Sequence, residues 1–171
     1  MKPVMTFFPE TRLAKLAARP GGIMRDFAIE NAKEALESMR GEGDEAIRSG
    51  MDAIEKVASI ARDNRLPVAR TKEILTYADQ LVTLASTFGY QAFARCMKSL
   101  CDVADGLITA GLEDAAPIAV HVRTMRILAP GSTTLSQEQT EVVLGELAKI
   151  LTHYDFSPIG SQADAQTPLM R

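Results

Sequence analysis

Apolar residues recur along this chain at spacings of three and four residues, and alternating apolar and polar runs are nearly absent. Such spacing places apolar side chains on one face of an α-helix. In residues 67–88 it predicts one buried stripe, made of Ile74, Ala78, Leu81, Ala85 and Phe88. The sequence therefore predicts an all-α fold, with helices at about residues 10–18, 25–39, 44–63, 67–88, 90–111, 113–128 and 136–153.

Glycine and proline mark the ends of several of these helices. Pro20, Gly21 and Gly22 stop the first one, because proline lacks a backbone donor and glycine is entropically costly to order. Gly41 and Gly43 interrupt an apolar rhythm that continues on both sides of them, and two glycines cost about 2 kcal/mol relative to alanine in a helix. We favour a break near these two glycines, with one continuous helix as the alternative.

The helices between residues 44 and 128 are joined by short connections, so neighbours are expected to run in opposite directions. This predicts an antiparallel, up-down four-helix bundle, with additional N-terminal helices at 10–39 and a C-terminal helix at 136–153. Residues 1–155 would then form a single helical domain. Residues 156–171 have little apolar periodicity and are predicted to be a flexible tail.

Composition narrows the possible partners. The 171 residues include 22 acidic and 19 basic side chains, 46% of the residues are hydrophobic, and the net charge is −3. This balance gives no positive field that would attract nucleic acid or an anionic membrane surface. No apolar run approaches the roughly 20 residues that span a bilayer, and no secretory signal follows the first methionine. We expect a cytoplasmic protein.

Few side chains could carry chemistry. Cys96 and Cys101 lie about 140° apart around one predicted helix, which disfavours a shared disulfide or metal and predicts two reduced core thiols. His121 stands beside apolar Val122 and is predicted to be a half-buried structural residue, with phosphoryl acceptance as the alternative. His153, near the end of the last helix, interacts favourably with the helix dipole. Neither metal-ligand spacing nor a glycine-rich phosphate loop occurs, so we predict no cofactor and no enzyme.

One segment carries a more specific signal. Ala78, Leu81, Phe88 and Gly89 stand at the spacing of the fixed positions in the phosphate-accepting segment of histidine phosphotransfer (HPt) domains, which this stretch resembles. The resemblance extends over residues 67–128 in helix order and spacing, including the turn at 110–114. It implies an HPt-like four-helix bundle.

The reactive positions of that family pattern are changed in this chain. Asp79 stands where the family has its phospho-accepting histidine, Val82 where it has a phosphate-steering lysine, and Thr83 where a small glycine admits the partner. Phosphotransfer needs an exposed nucleophile and a nearby cation, and these three residues supply neither. Phosphorylation of Asp79 itself would need a metal held by further carboxylates, which its helical neighbours lack. The resemblance implies a protein that docks as an HPt domain does and does not carry phosphate.

The helix face around the changed positions is the predicted docking site. We call the set Leu75, Asp79, Val82, Thr83 and Ser86 the Asp79 face. Apolar side chains that flank one charge on a partly exposed face are typical of protein-docking patches. The alternative is that Leu75 and Val82 pack beneath the N-terminal helices.

The N-terminal region adds a second resemblance. The run Arg12 to Ala17, followed by Pro20-Gly21-Gly22, is similar to the opening of CheE-type chemotaxis proteins of alphaproteobacteria. Together the two resemblances predict a non-catalytic two-component signalling protein, in chemotaxis, that binds a response-regulator receiver or a histidine kinase. The alternatives are a structural or oligomerising helical protein, and a phosphotransferase that uses His121.

Overall fold

The computed structural model describes residues 24–132 and 135–156, and every regular element in that part of the chain is an α-helix. The helices are α1 (Arg25–Ser38), α2 (Arg40–Ala58), α3 (Val68–Thr87), α4 (Gln91–Ala110), α5 (Ala116–Leu128) and α6 (Gln137–Tyr154). The all-α prediction is confirmed. The predicted helix at 10–18 and all but the first residue of the predicted tail lie outside the described residues.

The described residues divide into two compact units, one ending at Met39 and the other beginning at Arg40. In the first unit, α1 buries none of its residues. Its apolar side chains are exposed, with Phe27 at 62% and Leu36 at 40% of their possible surface. Within its own unit, therefore, no described residue covers the apolar side of α1.

The break between α1 and α2 falls at Met39, whereas the sequence placed it near Gly41 and Gly43. Both glycines lie near the start of α2, and Gly43 is buried there. A Cβ atom at Gly43 would lie 2.2 Å from the ring of Phe88, so this glycine permits close packing rather than ending a helix. Helix α2 accordingly begins earlier than the predicted residue 44, and it ends at Ala58.

Four helices of the second unit contact one another in a ring, in which α2 packs on α3, α3 on α4, α4 on α5 and α5 on α2. Helix α6 packs on α4 and α5. The core is centred on α4, whose fully buried side chains include Phe93, Met97, Leu100 and Leu107. None of the described helices is long and apolar enough to cross a bilayer.

The loop before α3 is held by the loop before α5. The Ala115 amide donates a hydrogen bond to the Asn64 carbonyl at 2.9 Å, and the Leu66 amide donates to the Glu113 carbonyl at 2.8 Å. Asp63 and Asn64 adopt left-handed backbone conformations, with φ of 48° and 58°. Aspartate and asparagine tolerate this region better than other non-glycine residues. These contacts fix the beginning of α3.

The other end of α3 is fixed by a polar cluster at the start of α2. The Tyr90 hydroxyl donates to Asp44 Oδ1 at 2.6 Å and accepts from Arg40 Nη1 at 3.1 Å. Arg40 Nη1 also donates to the Phe88 carbonyl at 3.1 Å. Because both ends of α3 are tied down, the side chains along its length have defined surroundings.

Helix α6 is capped at its start, and its end is tied to the loop before α5. The Ser136 hydroxyl accepts from the Gln139 amide at 3.1 Å, and Gln139 Oε1 accepts from the Ser136 amide at 2.9 Å, which completes a capping box. At the other end, the Tyr154 hydroxyl donates to Asp114 Oδ2 at 2.5 Å. This hydrogen bond, together with burial, raises the pKa of Tyr154 to about 12.

Candidate docking surface on α3

The inner side of α3 is the apolar stripe that the sequence predicted. Ile74, Ala78, Leu81 and Ala85 are buried, and Phe88 just beyond the helix is buried as well. Gly89 follows with a φ of 81°, a conformation that favours glycine and ends the helix. The positions that match the HPt pattern on this side therefore belong to the core.

The outer side of α3 carries the Asp79 face. Asp79, Thr83 and Ser86 are exposed, whereas Leu75 and Val82 are half-buried and pack against the edge of the core. Leu75 and Val82 each keep part of their surface accessible on the side of α3 that carries Asp79.

Hydroxyl groups along this side are turned back onto the helix. Thr83 Oγ1 donates to the Asp79 carbonyl at 3.3 Å, and Thr87 Oγ1 donates to the Thr83 carbonyl at 2.9 Å. Thr76 Oγ1 donates to the Lys72 carbonyl at 3.1 Å. These hydroxyl hydrogens are engaged within α3, so the threonine oxygens remain available only as acceptors.

A metal site does not form in the part of the chain that the structure describes. No three histidine, cysteine, aspartate or glutamate side chains there are grouped so as to hold an ion. Phosphoryl transfer to an aspartate depends on such an ion to offset the charge of the phosphoryl oxygens. Among the described residues, therefore, no group of side chains around Asp79 could hold the metal ion that this reaction needs.

Helix α4 carries the buried thiol of Cys101. Its pKa is raised to about 12 by burial first and then by the carboxylates of Asp79 and Asp102, and the Lys98 ammonium opposes this shift. Lys98 Nζ lies 2.8 Å from Asp102 Oδ1. Both residues line a groove on α4 and α6, together with Arg95, Ser99, Leu144, Ala148 and Leu151. The sequence reasoning did not single out Lys98 or Asp102, because this groove forms only where α6 packs on α4.

Both cysteines are free and buried, as the sequence predicted. Burial also raises the pKa of Cys96 to about 12. A thiol with so high a pKa is a poor nucleophile at neutral pH, because the thiolate is the reactive form.

His121 is fully buried, whereas the sequence predicted a half-buried residue. Its Nδ1 atom lies 2.8 Å from the Pro117 carbonyl, and its Nε2 atom lies 2.9 Å from Ser99 Oγ. Because a carbonyl can only accept, Nδ1 carries a hydrogen, and the neutral ring accepts from the Ser99 hydroxyl through Nε2. Burial lowers the pKa of His121. The larger burial arises because Ser99 on α4 and the first turn of α5 enclose the ring together.

His153 occupies the last turn of α6 and is exposed. Its ring meets the ring of Tyr154 edge to face, with 5.2 Å between their centres. This placement agrees with the predicted location at a helix C-terminus, where a cationic side chain is favoured.

Comparison with protein families, curated proteins and solved structures finds no match for this chain. The function of this chain is therefore inferred from its own residues. Within the described part, the Asp79 face is the surface on which sequence pattern, exposure and charge coincide.

Proposed function

We propose that this chain is a non-catalytic protein of two-component signalling, acting in the cytoplasm and in chemotaxis. On this proposal it binds a response-regulator receiver domain or a histidine kinase through the Asp79 face. One observation carries the proposal. Asp79 is exposed midway along α3 between half-buried Leu75 and Val82, while Ala78 and Leu81, which match the HPt pattern, are buried on the opposite side.

The helix contacts support this proposal at the level of architecture. An HPt-like up-down bundle would pack four successive helices in a ring, and α2, α3, α4 and α5 make the contacts of such a ring. In that arrangement α3 would hold the place of the helix that bears the acceptor in the family. Both ends of α3 are fixed by hydrogen bonds, which would present the face in one conformation and reduce the entropy cost of binding.

The chemistry of the face supports a role in binding without phosphoryl transfer. Asp79 offers a carboxylate, Val82 an apolar contact and Thr83 a back-bonded hydroxyl, so none of the three acts as an imidazole nucleophile or a cation. His121 has an imidazole, yet the ring is fully buried and both nitrogens have hydrogen-bond partners. This burial counts against the alternative of a phosphotransferase that uses His121. A protein of this kind would regulate phosphoryl flow stoichiometrically, by occupying its partner.

In the alternative of an oligomerising helical protein, the Asp79 face is an assembly interface. Helix α1 also exposes the apolar side chains of Phe27, Ile29 and Leu36, and isolated helices shorter than about 12–15 residues are marginal in water. Assembly through either surface would be concentration-dependent. Sedimentation of the full chain over a range of concentrations, comparing the native chain with Val82→Glu and with Leu36→Glu, tests this alternative and shows which surface is used.

The proposed function is tested by binding to purified receiver domains and kinase transmitter domains from the same organism. We compare the native chain with Val82→Glu on the Asp79 face and with Val142→Glu on α6. Val142 is 61% exposed, so the control introduces the same charge on an apolar surface residue elsewhere. We expect Val82→Glu to abolish binding with little change in melting temperature, and Val142→Glu to bind normally.

Two outcomes would contradict the proposal, and a third calls for a further variant. Binding of none of these domains to the native chain would exclude the proposed partners. Equal binding by both variants would exclude the Asp79 face. A Val82→Glu chain that unfolds would favour packing at Val82, and Asp79→Arg, at an exposed position, then decides whether the face binds.

A further inference from the structure

We infer that Ser99 on α4 and His121 on α5 form a nucleophile–base pair, and that Ser99 accepts a short aliphatic acyl group from an activated ester in the groove on α4 and α6. The inference goes beyond the proposed function and does not depend on the Asp79 face. It assigns a site of covalent modification, in which the seryl hydroxyl is the nucleophile and the imidazole is the base.

The hydrogen bonds of His121 give both groups the arrangement that this role needs. Nδ1 carries the ring hydrogen, because it lies 2.8 Å from the Pro117 carbonyl, which can only accept. Nε2 therefore presents its lone pair to Ser99 Oγ at 2.9 Å, and the seryl hydrogen is donated to it. The lone pairs of Oγ remain for attack on a carbonyl carbon. A nucleophile, a base in hydrogen-bond reach and a third group that orients the base are the combination that activates serine.

The surroundings of the imidazole suit a base and not an acceptor. The ring is fully buried, so it meets a reagent only through the Ser99 hydroxyl. Burial lowers the pKa of His121, and the hydrogen bond to the Pro117 carbonyl acts against that shift. The ring is therefore neutral at neutral pH and can take a proton, and the Pro117 carbonyl stabilises the imidazolium that forms when it does.

Ser99 opens onto a groove, whereas its base stays inside the bundle. Ser99 is half-buried and lines a groove of about 270 Å³ on α4 and α6. Helix α6 contributes Leu144, Ala148 and Leu151 to this groove, and these side chains offer an apolar surface to an aliphatic chain. The groove thus favours an acyl group with a short hydrocarbon chain.

The acylation step needs the ester as its one co-reactant. Ser99 Oγ attacks the carbonyl carbon of the ester, the Oγ–C bond forms, and the bond from that carbon to the leaving group breaks. The proton moves from Oγ to His121 Nε2 and then to the leaving group. The products are an ester of Ser99, the protonated leaving group and a neutral imidazole. Arg95 and Lys98 also line the groove, and each is ion-paired with a carboxylate, so the step assigns them no role.

The test incubates the full chain with p-nitrophenyl butanoate and locates the butanoyl group by mass spectrometry of peptides. Hydroxylamine then cleaves esters and leaves amides on lysine intact. We expect a hydroxylamine-labile butanoyl group at Ser99, which Ser99→Ala should lose and Ser59→Ala should keep. Ser59 is the matched control, because its Oγ donates to the Lys56 carbonyl at 2.8 Å and has no imidazole beside it.

Two further variants test the base and the groove separately. His121→Gln removes the base, and we expect the rate of acylation at Ser99 to fall roughly hundredfold. Ala148→Phe places a large side chain at an exposed position of the groove and leaves the pair of Ser99 and His121 intact. It should slow transfer of the butanoyl group more than transfer of the acetyl group from p-nitrophenyl acetate. Circular dichroism establishes that each variant is folded before rates are compared.

A native chain without a hydroxylamine-labile acyl group at Ser99 would overturn the inference. A folded His121→Gln chain that is acylated at the native rate would do so as well, because the imidazole would then not act as the base. If His121→Gln does not fold, Ala148→Phe decides, and an unchanged rate of butanoyl transfer in that variant would show that the groove does not receive the acyl group. None of these results bears on the Asp79 face, which receiver and kinase binding tests separately.

Discussion

Asp79 and His121 are two positions at which a phosphoryl acceptor could be sought, and they differ in exposure. Asp79 is exposed at the centre of α3, whereas His121 on α5 is fully buried against α4. The exposed position lacks a nucleophilic imidazole, and the imidazole of His121 is enclosed in the bundle. Accessibility and reactivity are thus separated at these two positions, which is the physical basis for proposing a protein that binds through the Asp79 face and does not transfer phosphate through His121.

The comparison extends to what each position contributes to stability. His121 completes hydrogen bonds to Pro117 and Ser99 inside the bundle. Asp79 has its carboxylate at the surface, where single charges contribute little to folding. Changes near His121 should therefore affect unfolding, and changes at the Asp79 face should affect binding.

The largest expected effect concerns the core side of α3. Leu81 is 1% exposed, so Leu81→Ala should lower the free energy of unfolding by about 2–5 kcal/mol. The neighbouring change Val82→Ala, at a half-buried position, should cost about 1 kcal/mol or less. Urea denaturation of both variants measures the difference. Equal losses would show that Val82 is a core residue and that the Asp79 face is part of the packing.

Removing the buried imidazole should have the next largest effect. His121→Ala removes the ring's hydrogen bonds to the Ser99 hydroxyl and the Pro117 carbonyl at a fully buried site, and we expect a loss of about 1–3 kcal/mol in the free energy of unfolding. Thermal and urea denaturation check this value. A His121→Ala chain with native stability would mean that the ring is not packed as described.

The burial of His121 also predicts how the stability of the protein depends on pH. Burial lowers the pKa of His121 below its ordinary value of 6.5, so the unfolded chain binds more protons between the two pKa values. The free energy of unfolding should therefore keep the full contribution of His121 above about pH 6.5 and lose it as the pH falls towards the folded pKa. Urea midpoints at several pH values between about 5 and 8 measure this slope.

His121→Gln is the control for this dependence, because it removes the titrating group and leaves His153 in place. The slope that belongs to His121 should vanish in this variant. If the native chain and His121→Gln lose stability in parallel as the pH falls, the dependence arises from other groups.

The smallest expected effects are at Asp79. Asp79→Asn should change the free energy of unfolding by no more than about 0.5 kcal/mol, because the side chain is exposed. The native chain should take up no phosphate from an active kinase or a phosphorylated receiver. Label that persists in acid-free conditions and disappears in His121→Ala would show that the buried imidazole is reached after all.

The sequence alone predicted the faces of α3 better than it predicted the break between α1 and α2. Helical spacing predicted that Ile74, Leu81 and Phe88 face the core and that Asp79 does not, because that separation depends only on position around one helix. The sequence placed the helix break near Gly41 and Gly43, and the structure has it at Met39. The prediction was wrong because the role of Gly43 depends on its packing against the Phe88 ring, which comes from a distant segment.

The neighbours on other helices were also beyond the reach of periodicity. The full burial of His121 depends on Ser99 of α4, and the groove that Lys98 shares with Leu144 depends on the packing of α6 on α4. Such contacts are set by tertiary packing, which local spacing does not specify.

The most direct test of the central claim is to restore the lost chemistry on the Asp79 face. The triple variant Asp79→His, Val82→Lys, Thr83→Gly supplies a nucleophile, a cation and space for the receiver at the spacing of the HPt pattern. Thr83→Gly costs about 1 kcal/mol of helix propensity, which a domain of this size tolerates. If α3 is an HPt-like frame, the folded triple variant should take phosphate from a receiver that binds the native chain, and Asp79→His alone should do so poorly. A folded triple variant that stays unlabelled with every such receiver would contradict the account.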